Sequence, residues 1–265
     1  MIELAVNADD FGFTTDVNDG IVAAHRNGIL TSTTLMANGA AFDHAVALAR
    51  KTPTLDIGCH LTLVGGPALT GGMLPGGVPE LLWAIARGKI PLYDELAAQV
   101  RKIQDAGLRP THLDTHKHTH VAPPVLRALS RVAREFQIPW VRRPFDFIRS
   151  PRSTFLTRMA NKAMRSQAGY FARQFEGLRS TNYFIGFTLT GRLDARVMAE
   201  EIRRLPEGFT EFMVHPGYLR EDLRRAHTRL KESRERELEA LCSDEVKRAI
   251  AERAVVLRGF EEPGK

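Results

Sequence analysis

Cysteine is scarce in this chain. Its 265 residues include two, Cys59 and Cys242, far apart and in no Cys-x-x-Cys spacing. That argues against a disulfide framework or a cysteine-ligated zinc site and points to a reducing compartment. A long hydrophobic run is missing too. The uncharged stretch from Leu61 to Pro79 has about the length of a bilayer span, but its six glycines and three prolines make it a loop. The N-terminus, Met1-Ile2-Glu3-Leu4, lacks the basic stretch and apolar run of a secretory signal, so a cytoplasmic location is expected. With 43% hydrophobic and 26% charged residues, the composition is that of a soluble globular protein and excludes disordered and fibrous classes.

What is present is an alternation of strand and helix signals. Leu4 to Ala8 is a short apolar run ending at Asp9-Asp10, and Asp16 to Asn27 then sets Val17, Ile21 and Ala24 on one helical face before Gly28. The pattern repeats with a strand over Ile29 to Met36, a helix over Phe42 to Arg50 and a strand over Leu55 to Leu63. Helices follow over Glu80 to Arg87 and Asp94 to Ala106, then a strand over Thr111 to Thr115. Pro123-Pro124 suit a first helical turn, with Val125, Leu129, Val132 and Phe136 on its buried face. Further strands are expected at Ile138 to Arg142, Tyr183 to Leu189, Glu211 to His215 and Val255 to Phe260. The charged stretch from Arg220 to Glu239 interleaves both signs and reads as an exposed helix. Seven or eight mostly parallel strands in a chain of this length predict a single-domain (β/α) barrel over residues 1–265, of α/β class.

In such folds chemistry sits where strands end. The first strand leaves Asp9-Asp10, the third delivers His60, the strand from Glu211 delivers His215, and the fourth runs into His112, Asp114, His116, His118 and His120. Six of the nine histidines therefore fall at expected strand ends. Extended, the fourth segment puts His112, Asp114 and His116 on one face; turned helical, it makes His116 and His120 neighbours. Imidazoles with a carboxylate suit a divalent metal and leave positions open for water and substrate. Water on such a metal becomes acidic enough to act as a nucleophile, and a free carboxylate can take its proton. Asp9-Asp10 could supply both roles, since successive side chains diverge on an extended backbone. Metal-assisted hydrolysis is the chemistry these residues imply.

Other features have plainer readings. The loop from Gly65 to Gly77 lacks a Gly-Lys-Ser/Thr ending and reads as a flexible active-site loop rather than a phosphate cradle. Cys59 and His60 face opposite ways as strand neighbours, so they do not make a nucleophile pair. Trp83 and Trp140 fit core packing better than sugar stacking. His25, His44 and His227 lie on expected helices as surface residues.

Several segments together resemble a known family: Asn7-Ala8-Asp9-Asp10-Phe11-Gly12, Thr31-Ser32-Thr33-Thr34 with Met36 and Asn38, Ile57-Gly58-Cys59-His60-Leu61, Thr111 to His120, and His215-Pro216-Gly217-Tyr218. They are similar to the YdjC-like carbohydrate deacetylases of ChbG type, and the match extends to about Leu241. The resemblance implies a (β/α) barrel that removes the acetyl group from an N-acetylated amino sugar with a divalent metal. Magnesium is the usual one; zinc, manganese and cobalt also suit such ligands. By that likeness Asp10, His60 and His116 hold the metal, Asp9 is the general base and His215 the general acid for the leaving amine. Arg142 and Tyr218 are taken as substrate-binding residues, with His118 and His120 in supporting places. Cys59 stands where a larger apolar residue is usual, and Pro151 to Ser180 matches poorly. A neighbouring branch, associated with hopanoid biosynthesis, deacetylates a glucosaminyl lipid, so the substrate is expected to be a free saccharide or a glycolipid.

The net charge of +6 is unevenly placed. From Arg142 to Thr181, nine basic residues (Arg142, Arg143, Arg149, Arg152, Arg158, Lys162, Arg165, Arg173, Arg179) meet two acidic ones, a local net of +7, while the remainder stands at −1. With Phe155, Leu156, Met159, Met164, Phe171, Phe175 and Leu178, this segment reads as a basic amphipathic helical insertion at about 145–181. Packed on the barrel, its apolar stripe serves the core; left open, residues 151–180 would form a lid or a peripheral membrane contact. No nucleic-acid motif accompanies the charge, so no nucleic-acid partner is expected. A homodimer is compatible with the sequence. The rivals to a deacetylase are a metal-stabilised barrel docking a polyanion and a metal hydrolase of phosphate esters.

Overall fold

The computed structural model describes residues 1–146 and 150–261; Arg149, counted above among the basic residues, and 262–265 lie outside them. The strands are β1 (Ile2–Phe11), β2 (Ser32–Leu35), β3 (Asp56–Leu61), β4 (His112–Thr115), β5 (Trp140–Val141), β6 (Tyr183–Ile185), β7 (Gly208–Val214) and β8 (Val256–Leu257). They form one sheet in the order β5-β4-β3-β2-β1-β7-β6, every pairing parallel, with β8 added to β1 at Glu3 and Leu4. The sheet curls towards closure, and Trp140 and Arg179 bridge its two ends. This is the expected barrel, left partly open between β5 and β6.

The helices are α1 (Thr15–Asn27), α2 (Phe42–Arg50), α3 (Val78–Ala86), α4 (Leu92–Asp105), α5 (Pro123–Glu135), α6 (Phe155–Arg165), α7 (Ala168–Gln174), α8 (Ala195–Arg203), α9 (Glu221–Arg225), α10 (Glu232–Cys242) and α11 (Asp244–Glu252). Their apolar faces close one core against the sheet: Val17, Ile21 and Ala24 of α1 and Val125, Leu129 and Val132 of α5 are fully buried. Thr14 caps α1 by accepting from the Val17 amide at 3.2 Å, which supplies one of the amide partners a helix start lacks. Because all strands run parallel, the ends of β1, β3, β4 and β7 come together at one rim of the barrel.

Some expected elements change shape. The strand expected from Tyr183 to Leu189 stops at Ile185, and Phe187–Leu189 is a 3-10 turn. The stretch read as one exposed helix is two, α9 and α10, and Arg234 and Glu237 of α10 are buried. Charge interleaving alone did not mark them, because their partners come from β1 and β7. His25 and His44 are half-buried on helices, and His227 is exposed in a bend rather than a helix. The glycine loop is pinned: Pro67 bridges Met73, and Glu95 accepts from the Leu69 and Thr70 amides at 3.1 and 2.9 Å. Trp83, expected in the core, is 53% exposed with the Arg87 guanidinium over its ring, while Trp140 packs edge-on against Phe209 and Phe260.

Candidate active site

The rim opens with a break in β1. Its register against β2 shifts between Ala8 and Phe11, and Asp10 takes a φ of 70°. A left-handed backbone at a residue other than glycine is strained by about 1–3 kcal/mol and persists where the surroundings enforce it. Here the bulge defeats the alternation of an extended strand, which would have sent Asp9 and Asp10 apart. Both carboxylates enter the barrel mouth instead.

Asp10 lies between two imidazoles. Its Oδ1 is 3.3 Å from Nε2 of His60 and 3.1 Å from Nδ1 of His116, and those two nitrogens are 3.3 Å apart. Three donor atoms from β1, β3 and the end of β4 thus form a nearly equilateral triangle. His116 reaches it because the chain turns at once: Lys117 and His118 both adopt positive φ, opening a 3-10 turn over His116–Val121. His116 and His120 are therefore not helical neighbours; His120 bonds Thr115 and the Arg142 carbonyl instead.

A second layer fixes the first. Asp114 Oδ1 sits 2.6 Å from Nδ1 of His60, which holds a proton on that nitrogen and turns Nε2 into the site. Arg234, reaching from α10, holds Asp10 Oδ2 at 2.5 Å. The clustered carboxylates draw positive charge: burial opposes a charged His60, but Asp114 and Asp9 push its pKa up to about 10. An Asp and two imidazoles with an orienting second carboxylate could hold a divalent cation. A second trio, Asp9, His60 and Asp114, also has its donor atoms within 4.8 Å of one another, but the Arg142 guanidinium already occupies both of its carboxylates.

Arg142 follows β5 and is 3% exposed. It forks onto Asp9, Nη1 to Oδ2 at 2.8 Å and Nη2 to Oδ1 at 2.6 Å, while Nη1 also meets Asp114 at 2.7 Å and Nε meets Glu211 at 2.7 Å. Burial alone would raise the Asp9 pKa; the guanidinium and the nearby imidazoles instead hold it well below the carboxylate range. Sequence reading gave Arg142 a place against substrate, and the structure puts it beneath Asp9, among three carboxylates.

His215, at the end of β7, brings Nε2 to 4.0 Å from Asp9 Oδ2. Burial lowers its pKa to about 4, the two aspartates only partly offsetting that, so it is neutral at pH 7. Its backbone amide donates to Glu237 at 2.6 Å. The following Gly217 packs on Gly20 of α1, where an added Cβ on Gly20 would stand 2.5 Å from the Gly217 Cα. Tyr218 is half-buried nearby, with the Arg220 guanidinium 4.2 Å over its ring. His112 lies on the expected face but bonds Asn7 at 2.9 Å and stacks on Phe260, apart from the triangle. His118 packs edge-on to Phe184 and Phe187, and its buried Nδ1 has no partner among the described residues.

Sequence reading missed Arg234 and Glu211 and placed Asp114 on the face of the candidate metal ligands, where the structure makes it the partner of His60 Nδ1 instead. A glutamate between Phe209-Thr210 and the apolar run Phe212-Met213-Val214 is the one available signal for Glu211. Arg234 had none, since most of its neighbours in the chain are charged.

The chain is similar to known proteins over nearly its whole length. A family model described as YdjC-like protein matches residues 3–252. A carbohydrate deacetylase from Brevibacillus brevis (strain 47 / JCM 6285 / NBRC 100599) is 35% identical over 272 residues, spanning 99% of this chain and 100% of that one. Among solved structures, a cellobiose-phosphate cleavage protein from Enterococcus faecalis V583 is similar with a TM-score of 0.77 and 27% identity, covering 98% of this chain and 97% of that one. A lactam utilization protein from Thermus thermophilus, at 16% identity and a TM-score of 0.50 over 97% of this chain and 99% of that one, shares the fold. The chain belongs to the YdjC-like protein family.

Proposed function

We propose that the protein is a metal-dependent carbohydrate deacetylase that removes the acetyl group from an N-acetylated amino sugar. The observation that carries this reading is the triangle of Asp10, His60 and His116 donor atoms, 3.1 to 3.3 Å apart, beside the ionised Asp9. Asp10, His60 and His116 would hold the cation, magnesium by family habit. When bound, it supplies Lewis acidity for an acyl oxygen and lowers the pKa of water.

The chain's own residues do the rest. Asp9 accepts the proton of the attacking water, and Arg142 keeps its carboxylate ionised and in one orientation. Its low basicity makes Asp9 a transient holder, and His215, 4.0 Å away, passes the proton to the leaving amine. Asp114 sets the His60 tautomer, and Arg234 fixes Asp10. The name of the Brevibacillus relative supports the same substrate class.

The test is acetate release from N,N'-diacetylchitobiose and longer chitooligosaccharides, before and after EDTA. The reading requires activity that EDTA removes and that Asp9→Asn lowers by about a hundredfold or more. Release that survives in Asp9→Asn refutes the base assignment. No release from any acetylated amino sugar, with cleavage of a phosphorylated disaccharide instead, refutes the substrate class.

A further inference from the structure

The basic insertion divides into two helices with opposite fates. On α7, Phe171 is fully buried and Phe175 nearly so, packed with Phe145 and beside His120. α6 has eleven residues and none of them is buried. Phe155 is 67% exposed, Leu156 78% and Met159 49%, three of the few large apolar side chains open to solvent among the described residues.

The helical repeat sorts α6 into stripes. Successive residues turn by about 100°, so Phe155, Met159 and Leu156 share one arc, and Arg158, Lys162 and Arg165 the adjoining one. The opposite side carries Thr157, Asn161 and Met164, and Asn161 ties the helix to the barrel through the Asp146 backbone, its Oδ1 accepting at 2.8 Å and its Nδ2 donating at 2.9 Å. No acidic residue occurs from Phe155 to Phe175. Phe155, Met159, Arg158 and Lys162 border an open cleft of about 500 Å³ that Asp146 and Thr188 also line.

Its place matters as much as its composition. Asp146 follows β5 and the Phe187–Leu189 turn follows β6, and α6 packs against both. In an all-parallel barrel those points belong to the rim that carries Asp10, His60 and His116.

We infer that α6 is an interfacial helix that docks this rim on an anionic phospholipid bilayer, inserting Phe155, Leu156 and Met159 among the acyl chains with the adjoining cations at the headgroups. An apolar stripe flanked by cations and free of carboxylates matches such a surface in both apolarity and charge. A protein groove would match the stripe alone, and a nucleic acid the cations alone. Docked in this way, the barrel presents its mouth to the membrane. The inference does not depend on the reaction proposed above, because binding is read without turnover.

The experiment is sedimentation of the full chain with phosphatidylcholine vesicles, with and without phosphatidylglycerol, over a salt series. Expected is binding that needs phosphatidylglycerol and weakens as salt rises. Phe155→Ser with Leu156→Ser should reduce it about tenfold or more. Arg158→Gln with Lys162→Gln should reduce it about twenty-fivefold, at roughly fivefold for each cation. These are exposed or half-exposed positions, and thermal melting by circular dichroism verifies that each variant remains folded. Absence of binding at low salt overturns the inference. So does wild-type binding by the serine variant: equal competition by heparin would then assign the cations to a soluble polyanion.

Discussion

Replacing Glu237 by glutamine should raise the stability relative to wild type progressively as the pH rises from about 5 to about 8. Glu237 is fully buried on α10, with Oε2 accepting the His215 amide. Burial raises its pKa from 4.5 to about 7, the His215 amide and Arg234 offsetting only part of that. The fold therefore binds a proton that the unfolded chain releases above 4.5. Stability from this group is fully present below that value and is lost as pH rises through about 7. At about 1.4 kcal/mol for each pH unit, the loss reaches about 3 kcal/mol above pH 8. The amide never ionises and so escapes the loss, whatever constant difference its own NH2 group introduces. Equilibrium urea unfolding of both proteins at about pH 5 and about pH 8 measures it: the stability of E237Q relative to wild type should grow by about 2–3 kcal/mol over that interval. A difference that stays constant with pH would refute the burial argument, because it would mean Glu237 is ionised or solvated in the fold.

Three further outcomes follow from the site. A divalent cation at a hundredfold excess over its Kd should raise unfolding stability by about 2.7 kcal/mol, and His116→Ala should abolish the effect in the same calorimetric titration. Arg142→Lys keeps a cation beneath Asp9 but loses the two-point hold, so kcat for acetate release should fall about tenfold or more with KM little changed; an unchanged kcat would rule out a positioning role. Gly20→Ala drives a Cβ to 2.5 Å from the Gly217 Cα, so it should destabilise by about 1–3 kcal/mol and disturb the His215 loop, seen as a lower melting temperature and lower turnover.

Much of this was legible in the chain before folding. The α2 helix runs over Phe42–Arg50 as its periodicity predicts, because apolar residues at helical spacing have one way to reach a core. Asp9, Asp10, His60, His116 and His215 were locatable because a parallel barrel gathers its strand ends at one rim, so residues placed just after apolar runs must converge. The sequence by itself thus determined the alternation of elements, the family motifs and the concentration of positive charge between Arg142 and Thr181.

The tertiary structure decided how those residues meet. That Asp9 and Asp10 share a face depends on a bulge and a positive φ at Asp10, and local propensity does not announce a strain that distant contacts impose. That Arg142 serves Asp9, Asp114 and Glu211, and that Arg234 serves Asp10 across 224 positions, depends on which strands and helices lie opposite each other. A charged side chain looks the same in the sequence whether solvent or a buried carboxylate awaits it. The two halves of the basic insertion likewise share one composition, yet α7 buries its phenylalanines and α6 exposes its own. α7 presses its phenylalanines into the core whereas α6 touches the barrel only along its Thr157, Asn161 and Met164 side, and burial is a property of neighbours rather than of the residue.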